Sequence, residues 1–168
     1  MRRSASAILA VLLLASLAGP ATAKSGGEPV VVADLEGRPI ATGEISLYFC
    51  HDRAFPRIHC FVTARGLEED LASGATVGAT AASASDYVQI YAGVDRAGAS
   101  MTVSQNYDTL ALVGWNDRIR SYRGLNGASG IFYVDWFATG DYLVFCCNVT
   151  DPSLPVAFDH QFTSVYRQ

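Results

Sequence analysis

The sequence predicts an all-β fold, an antiparallel β-sandwich preceded by a strand-containing N-terminal extension. After Asp86 the chain consists of short segments of alternating apolar and polar residues, separated by glycine-rich turns every 10 to 15 residues or so, as is typical of sandwiches. No helical segment connects these strands, which excludes a parallel α/β sheet. The alternating segments are 87–91, 100–104, 119–123, 130–134, 142–146 and 162–166.

Two glycines predict tight turns before strands. Gly98 and Gly140 each come just before an alternating segment, and glycine adopts positive φ without steric penalty. Trp136 and Phe137 precede the second of these turns. Because consecutive residues of a strand point to opposite faces, both rings cannot be buried, and we expect an exposed aromatic at a binding face.

Two stretches of the chain occur twice, about 42 residues apart, so each copy can form one small supersecondary unit. In each copy a tyrosine is followed seven positions later by glycine, then by an alternating strand, an aromatic residue, two polar residues and a closing serine. The first copy contains residues 91–98 and 115–121, and the second contains residues 133–140 and 158–164.

The N-terminus predicts export. Arg2 and Arg3 precede an apolar segment, 7–18, and the small residues 21–23 form a signal-peptidase site, so we expect residues 1–23 to be removed. The predicted location is secreted, either extracellular or periplasmic. The apolar segment is shorter than the roughly 20 residues that cross a bilayer, so no membrane span is predicted.

The charge balance argues against nucleic acid as a partner. The sequence has 12 Lys and Arg and 16 Asp and Glu, and loss of Arg2 and Arg3 leaves ten basic side chains and a net charge of about −6. No run of basic residues is available to follow a phosphate backbone.

The extension covers residues 24–72. Strand-like segments at 30–32, 45–50 and 58–63 are followed by two possible helical turns at 65–72. Residues 73–85 are nearly all Ala, Gly, Ser and Thr and are typical of a linker. The main domain is therefore predicted to span residues 86–168.

All four cysteines lie after the expected cleavage site, where an oxidising compartment favours disulfides. Cys50 and Cys60 flank Phe55-Pro56 as if on two arms of a hairpin, which favours a bond between them. Cys146 and Cys147 are adjacent. Neighbours in a strand point to opposite faces, so they would normally have different partners, and a direct bond would need a strained turn.

Other chemistry is less well supported. Cys50-His51 and His59-Cys60 would also suit a zinc site, but their spacing is unusual for one and a disulfide explains the cysteines better. No nucleophile elbow, metalloprotease helix or phosphate loop is present. The acidic residues 68–70 fit the solvated face of a helix better than a catalytic pair. We therefore expect a protein that is not an enzyme.

The repeated motifs resemble those of the βγ-crystallin superfamily, whose domain is a sandwich of two Greek key motifs. The resemblance rests on the paired Tyr-x6-Gly turns and polar corners and covers residues 86–167. It implies an antiparallel Greek key β-sandwich of βγ-crystallin type. Arg96 and Ala138 depart from the pattern, because they stand where the family usually has a second aromatic residue.

The resemblance also implies calcium, because microbial members of the family often bind Ca²⁺ through both polar corners, and Ca²⁺ prefers oxygen ligands. Arg120 replaces a hydroxyl in the first corner, and His160 replaces Asn or Asp in the second. A guanidinium has no acceptor and repels a cation, so we expect at most one calcium site, centred on Asp159 and Thr163. The matching residues are Asn116, Asp117, Ser121, Asp159, Thr163 and Ser164.

Two functions follow from the resemblance. The first is a secreted structural or binding protein without catalytic activity, for which calcium is a possible ligand. The same polar residues could instead only cap turns, with no metal. The alternative is a secreted proteinase inhibitor, because microbial metalloproteinase inhibitors share this Greek key fold. An inhibitor would present the Cys50–Cys60 hairpin to an extracellular protease.

Overall fold

A computed structural model of the chain describes residues 29–73 and 86–168. The predicted signal peptide, 1–23, lies outside these residues. So does the predicted linker, 73–85, apart from Ser73. No helix in the described ranges is both long and apolar enough to cross a membrane.

The described chain is built mainly of strands. The strands are β1 Val32–Leu35, β2 Arg38–Ile40, β3 Phe49–Ala54, β4 Arg57–Phe61, β5 Val88–Tyr91, β6 Ser100–Val103, β7 Ser121–Gly124, β8 Gly130–Tyr133, β9 Tyr142–Phe145, β10 Thr150–Asp151 and β11 Ser164–Arg167. One α-helix, α1, spans Ala64–Ser73, and short 3₁₀ helices span Thr42–Leu47, Val94–Arg96 and Leu110–Val113.

The strands form two sheets, and each repeated copy contributes a pairing segment to the sheet of the other copy. The larger sheet has the order β10-β7-β5-β6-β3-β4-β1-β2, and the smaller has the order β11-β8-β9. Strand β10 of the second copy pairs with β7 of the first, while Tyr107 of the first copy forms a bridge with Val165 in β11 of the second. This exchange is a Greek key arrangement, and it confirms the predicted all-β sandwich.

Aromatic side chains join the two sheets. The ring of Tyr122 in β7 lies 5.3 Å from Phe132 and 5.6 Å from Phe145, both in the smaller sheet. Phe132 also stacks on Phe162 at 4.9 Å. All four rings are buried, so the inward residues of the alternating strands form one core between the sheets.

The extension continues the larger sheet. Strand β3 pairs with the edge of β6, and the β3–β4 hairpin is closed by the predicted Cys50–Cys60 disulfide, which is confirmed. The strands of the sandwich pair antiparallel, whereas β3 with β6 and β1 with β4 pair parallel. The extension therefore covers one edge of the sandwich.

Two local expectations are wrong. Residues 42–47 form a 3₁₀ helix and the strand expected from Ile45 begins only at Phe49, because the Glu44 carboxylate accepts a hydrogen bond from the Ala41 N–H and closes the turn. Strand β10 was not expected at all. It has only two residues, too few for a visible alternation.

The cysteine pairings settle two further questions. Cys146 and Cys147 bond to each other, not to separate partners, and the alternation rule fails because β9 ends at Phe145. The zinc alternative at Cys50-His51 and His59-Cys60 is excluded, since both cysteines are bonded and buried. No cluster of three or more metal-binding side chains occurs in the described part of the chain.

Helix α1 packs on the outer face of β3 and β4. The Thr63 hydroxyl caps its start by accepting from the Gly66 N–H, and Leu67 is buried against the sheet. His51 Nε2 lies 2.9 Å from an Asp70 carboxylate oxygen. Burial lowers the pKa of His51, so the neutral ring is favoured and binds the helix through its Nε2–H.

A buried ion pair holds the end of α1 to the start of the main domain. Arg53 donates from Nε and Nη2 to the Asp86 carboxylate and from Nη1 to the Leu71 carbonyl at 3.1 Å. The side chains of Arg53 and Asp86 are 8% and 5% exposed. Each group therefore relies on the opposite charge of the other to offset the cost of its own burial.

Asp52 ties the extension to the core from the inner face of β3. One carboxylate oxygen accepts from the Ser104 N–H at 2.8 Å and from the Ser104 hydroxyl, and the other accepts from the Tyr107 hydroxyl at 2.8 Å. Burial raises the pKa of Asp52 from 3.8 to about 6, because the hydrogen bonds offset only part of the desolvation cost.

Replacing Arg53 tests the buried ion pair. We expect Arg53→Met to lower the free energy of unfolding by about 3 to 5 kcal/mol, because Asp86 is left buried without compensation. The matched control is Arg65→Met, which breaks a pair with Glu69 that is largely exposed, and there we expect a loss of less than about 1 kcal/mol. Urea denaturation measures both. Equal losses in the two variants would contradict the assignment.

Replacing Asp52 tests its raised pKa. The folded state holds the Asp52 proton to higher pH than the unfolded state, so the stability that this group contributes is present below pH 4 and lost as pH rises through 6. The advantage of the wild type over Asp52→Asn should fall by about 2 to 3 kcal/mol between about pH 4 and pH 7, at about 1.4 kcal/mol per pKa unit. Urea melts at several pH values measure this difference; parallel profiles would refute it.

Candidate functional site

The two polar corners of the repeat face each other. The Asp117 N–H donates to the Phe162 carbonyl at 3.1 Å, and the His160 N–H donates to the Ile119 carbonyl at 3.1 Å. Asp117 and His160 hold the same place in their copies, as do Ile119 and Phe162. A pseudo-two-fold axis therefore relates the corners, which we call the first corner, 115–121, and the second corner, 158–164.

The backbone follows the same symmetry. Asp117 and His160 have φ of 55° and 58°. Gly98 and Gly140 have φ of 76° and 77°, as expected for tight turns that need positive φ. The residues at the middle of the two tyrosine-led turns are also matched, with positive φ at Asp95 and Arg96 in one and at Phe137 and Ala138 in the other.

The closing serines hold these turns. The Ser121 hydroxyl donates to the Gly93 carbonyl at 2.6 Å and accepts from the Arg96 N–H at 3.1 Å. The Ser164 hydroxyl donates to the Asp135 carbonyl at 2.7 Å and accepts from the Ala138 N–H at 3.4 Å. Both serines are fully buried, so the hydroxyls serve the backbone. These hydrogen bonds from the serine hydroxyls to the turn backbones also explain why the turns form without the second aromatic residue.

Arg120 forms an ion pair across the two corners. Its Nε and Nη2 each lie 3.2 Å from an oxygen of the Asp159 carboxylate, and this hydrogen bond raises the pKa of Arg120 further. The bidentate contact places a positive charge from the first corner on the acidic group of the second. The carboxylate at the centre of the expected calcium site is therefore already neutralised.

The position related by symmetry to the Arg120–Asp159 ion pair contains no basic residue from the repeat. In the repeat, Thr163 occupies the position of Arg120, and Asn116 occupies the position of Asp159. The pseudo-two-fold axis therefore pairs Thr163 with Asn116, as it pairs Arg120 with Asp159. The Asn116 Oδ1 atom is buried and has no hydrogen-bond partner among the described residues. Its Nδ2 donates to the Asp117 carboxylate at 2.6 Å. Around Asn116 the chain therefore offers amide and carboxylate oxygen atoms, and Thr163 stands where the other copy has Arg120.

His160 lies between the corners. Its Nδ1 is 3.1 Å from the Asp117 carbonyl oxygen, so with a proton on Nδ1 it donates to that oxygen. The imidazole therefore competes for one backbone oxygen of the first corner.

Comparisons with known proteins find solved structures that resemble part of the chain. The chain matches no protein-family model and no curated protein. Solved βγ-crystallin structures are similar to about half of it: one from Ciona intestinalis at 18% identity and TM-score 0.44, one from Flavobacterium johnsoniae at 24% and 0.44, and one from Clostridium beijerinckii at 23% and 0.43. They cover 48%, 49% and 48% of this chain and 98%, 94% and 95% of their own.

Residues 86–168 form an antiparallel Greek key sandwich in two sheets. The exchanged strands and facing corners of this chain are the two Greek key motifs that the repeated sequence predicts. Residues 86–168 account for the smaller sheet and for four strands of the larger one. The other four strands of the larger sheet come from the extension.

Sequence reasoning missed the ion pair between Arg120 and Asp159. It treated Arg120 only as a group that repels calcium. The signal was available in the repeat, because the positions of Arg120 and Asp159 carry opposite charges and the corners were expected to meet. Only the pairing of the two copies across the axis brings these residues, 39 positions apart, into contact.

The Cys50–Cys60 hairpin is tied down. The Phe55 ring contacts Tyr107 edge-on at 6.0 Å, and the Pro56 carbonyl accepts from the Val32 N–H at 3.0 Å. A loop that enters a protease site needs to project freely. The hairpin therefore offers no specific support for the inhibitor alternative.

Removing one closing serine tests its role in the turn. We expect Ser121→Ala to lower the free energy of unfolding by about 1 to 3 kcal/mol, because the half-buried Gly93 carbonyl and the Arg96 N–H lose their partner. Ser153→Ala is the matched control, since Ser153 is exposed and its backbone bond is kept, and its effect should stay within about 0.5 kcal/mol. Chemical denaturation compares them. A Ser121 variant as stable as the control would mean that the hydroxyl does not hold the turn.

Proposed function

We propose that the protein is an exported, non-catalytic βγ-crystallin-type structural or binding protein that takes a single calcium ion between Asn116 and Asp117 of the first corner and Thr163 of the second. The observation that carries this proposal is the inequality of the corners. Arg120 neutralises Asp159 on one side of the pseudo-two-fold axis, while Asn116 Oδ1 is buried and unpartnered within the described chain on the other.

The donor set at the first corner suits calcium. Buried polar atoms are almost always partnered, so the lone Asn116 oxygen favours a ligand there. Asp117 adds a carboxylate and Thr163 a hydroxyl, and calcium takes amide, carboxylate and hydroxyl oxygens at six to eight positions. Bound calcium would supply a charge that holds the two corners together. Ser121 and Ser164 are left out of this ligand set, because their hydroxyls bind the turns.

The position occupied by Arg120 and Asp159 does not suit a calcium ion. The guanidinium of Arg120 already makes two hydrogen bonds to Asp159, and it would have to leave before a cation could approach. We therefore move the proposed centre from Asp159 and Thr163 to Asn116, Asp117 and Thr163. Arg120 acts in place of a metal at the other position, because it joins the corners through a charge that the chain itself carries.

A non-catalytic role is supported by the use of the polar interior. Asp52 and His51, two buried groups able to perform acid–base chemistry, are each bound to another part of the fold. Export is supported by the Cys50–Cys60 bond and by the N-terminal sequence. No feature of the described residues favours the inhibitor over this function.

Calcium titration tests the proposed site. We expect isothermal titration calorimetry to detect one calcium equivalent, and thermal melting to show a higher midpoint with calcium than with chelator. At ten times the dissociation constant the gain is about 1.4 kcal/mol. Asp117→Asn should weaken binding, whereas the control Asp95→Asn should not, although it makes the same charge change at a similar φ. Equal melting midpoints with calcium and chelator would refute the proposal.

Arg120→Ser provides a second test of the proposed calcium site. It removes the internal cation and supplies a hydroxyl, so the titration should show a second calcium equivalent and tighter overall binding. An unchanged titration curve would mean that Arg120 does not occupy a calcium position.

A further inference from the structure

A cavity lies on the outer face of the larger sheet, beside helix α1. Its volume is about 610 Å³, and small-molecule sites usually enclose roughly 300 to 1,000 Å³. One face of α1 forms a wall, because the lining residues recur at helical spacing within 64–72. Strands β5, β6 and β7 form the floor. The extension therefore supplies one side of the cavity and the main domain supplies the other.

Polar side chains cross this floor in register. Thr102 of β6, Gln89 of β5 and Arg123 of β7 are partners on neighbouring strands, so their side chains share the outer face. Ser100 and Tyr91 are partners two residues further along. The Tyr91 hydroxyl donates to the Gln89 Oε1 at 2.7 Å, and the Gln89 Nε2 donates to the Ser100 hydroxyl at 3.5 Å. These contacts hold the Gln89 amide between Thr102 and Arg123.

The two ends of this row have hydrogen-bond donors to spare. Thr102 is 1% exposed, and its Oγ1 atom has no hydrogen-bond partner among the described residues. A buried hydroxyl is rarely left without a partner. The Arg123 guanidinium carries several N–H donors and forms no ion pair within residues 29–73 and 86–168. The floor therefore favours a ligand that accepts hydrogen bonds.

The charges around the cavity partly cancel. Six charged side chains line it, namely Arg53, Glu68, Asp86, Asp95, Arg96 and Arg123. Arg53 and Asp86 neutralise each other in their buried ion pair. The other four are exposed, so their distance from the floor decides which sign dominates there.

The arginines dominate at the Tyr91 hydroxyl. Burial raises the pKa of Tyr91, and among the charged neighbours Arg123 and Arg96 each lower this pKa by more than Glu68 raises it. A positive potential at this point of the floor stabilises an anion.

We propose that this cavity binds a small organic carboxylate, whose charged group lies between Arg123 and Thr102 and whose apolar body packs against α1. Leu67 and Leu71 of α1 line the apolar wall, which an inorganic anion would leave unused. A guanidinium can bind a carboxylate through two parallel hydrogen bonds. The lining residues all lie outside the two corners, so this site does not depend on the proposed calcium site.

The experiment is isothermal titration calorimetry of the purified protein with two probes, phenylacetate and octanoate. Phenylacetamide is the uncharged control, and acetate is the control without an apolar body. We expect at least one probe to bind at one equivalent, roughly tenfold or more tightly than either control, because only the probes use both the arginine and the apolar wall. Failure of both probes to bind, or binding no tighter than that of the controls, would overturn the proposal.

Variants locate the binding in this cavity. Arg123→Gln should weaken binding of the probe roughly tenfold or more. Arg38→Gln is the matched control, since Arg38 is also exposed and lies in β2 at the far edge of the larger sheet, and it should bind like the wild type. Equal binding by these two variants would refute the assigned position of the carboxylate.

Thr102→Val separates binding from folding. It replaces the hydroxyl with a methyl group of similar size, so it should weaken binding of the probe. The melting midpoint should stay the same or rise, because a buried hydroxyl without a partner is costly. A Thr102 variant that binds the probe like the wild type would count against the site.

Discussion

The reciprocal pair of backbone hydrogen bonds between the two corners is the constraint on which the rest of the sandwich depends. Asp117 bonds to Phe162 and His160 bonds to Ile119, so each Greek key motif completes the other. Both donor residues have positive φ, and a buried serine holds each tyrosine-led turn. The strand exchange and the shared aromatic core follow from that docking.

The differences between the two copies lie where the pseudo-two-fold symmetry is broken. At the corners, an arginine in one copy corresponds to a threonine in the other, so one side is closed by an internal ion pair and the other keeps an unpartnered buried oxygen within the described chain. At the sheet edges, β6 is covered by the extension while β9 is open within the same described residues. The backbone hydrogen bonds that join the two corners correspond in both copies, so the differences lie in side chains and at a sheet edge.

The extension is attached by polar groups that are costly to bury. Asp52 on the inner face of β3 binds Ser104 and Tyr107, and Arg53 on the outer face binds Asp86 and the end of α1. An apolar contact would tolerate small shifts of the extension, whereas these groups require a specific position, since each loses its compensation when moved. They therefore fix the register of β3 against β6 more strictly than packing alone would do.

The sequence by itself determined the features that depend on neighbouring residues. The strands after Asp86, the positive φ at Gly98 and Gly140, and the Cys50–Cys60 bond could be predicted, because alternation, glycine and a short hairpin act locally. Only the tertiary structure decided where the extension docks, that β10 joins the larger sheet, and that Arg120 reaches Asp159. Those contacts join residues far apart in the chain, and their energies depend on burial and distance that exist only after the two copies have met.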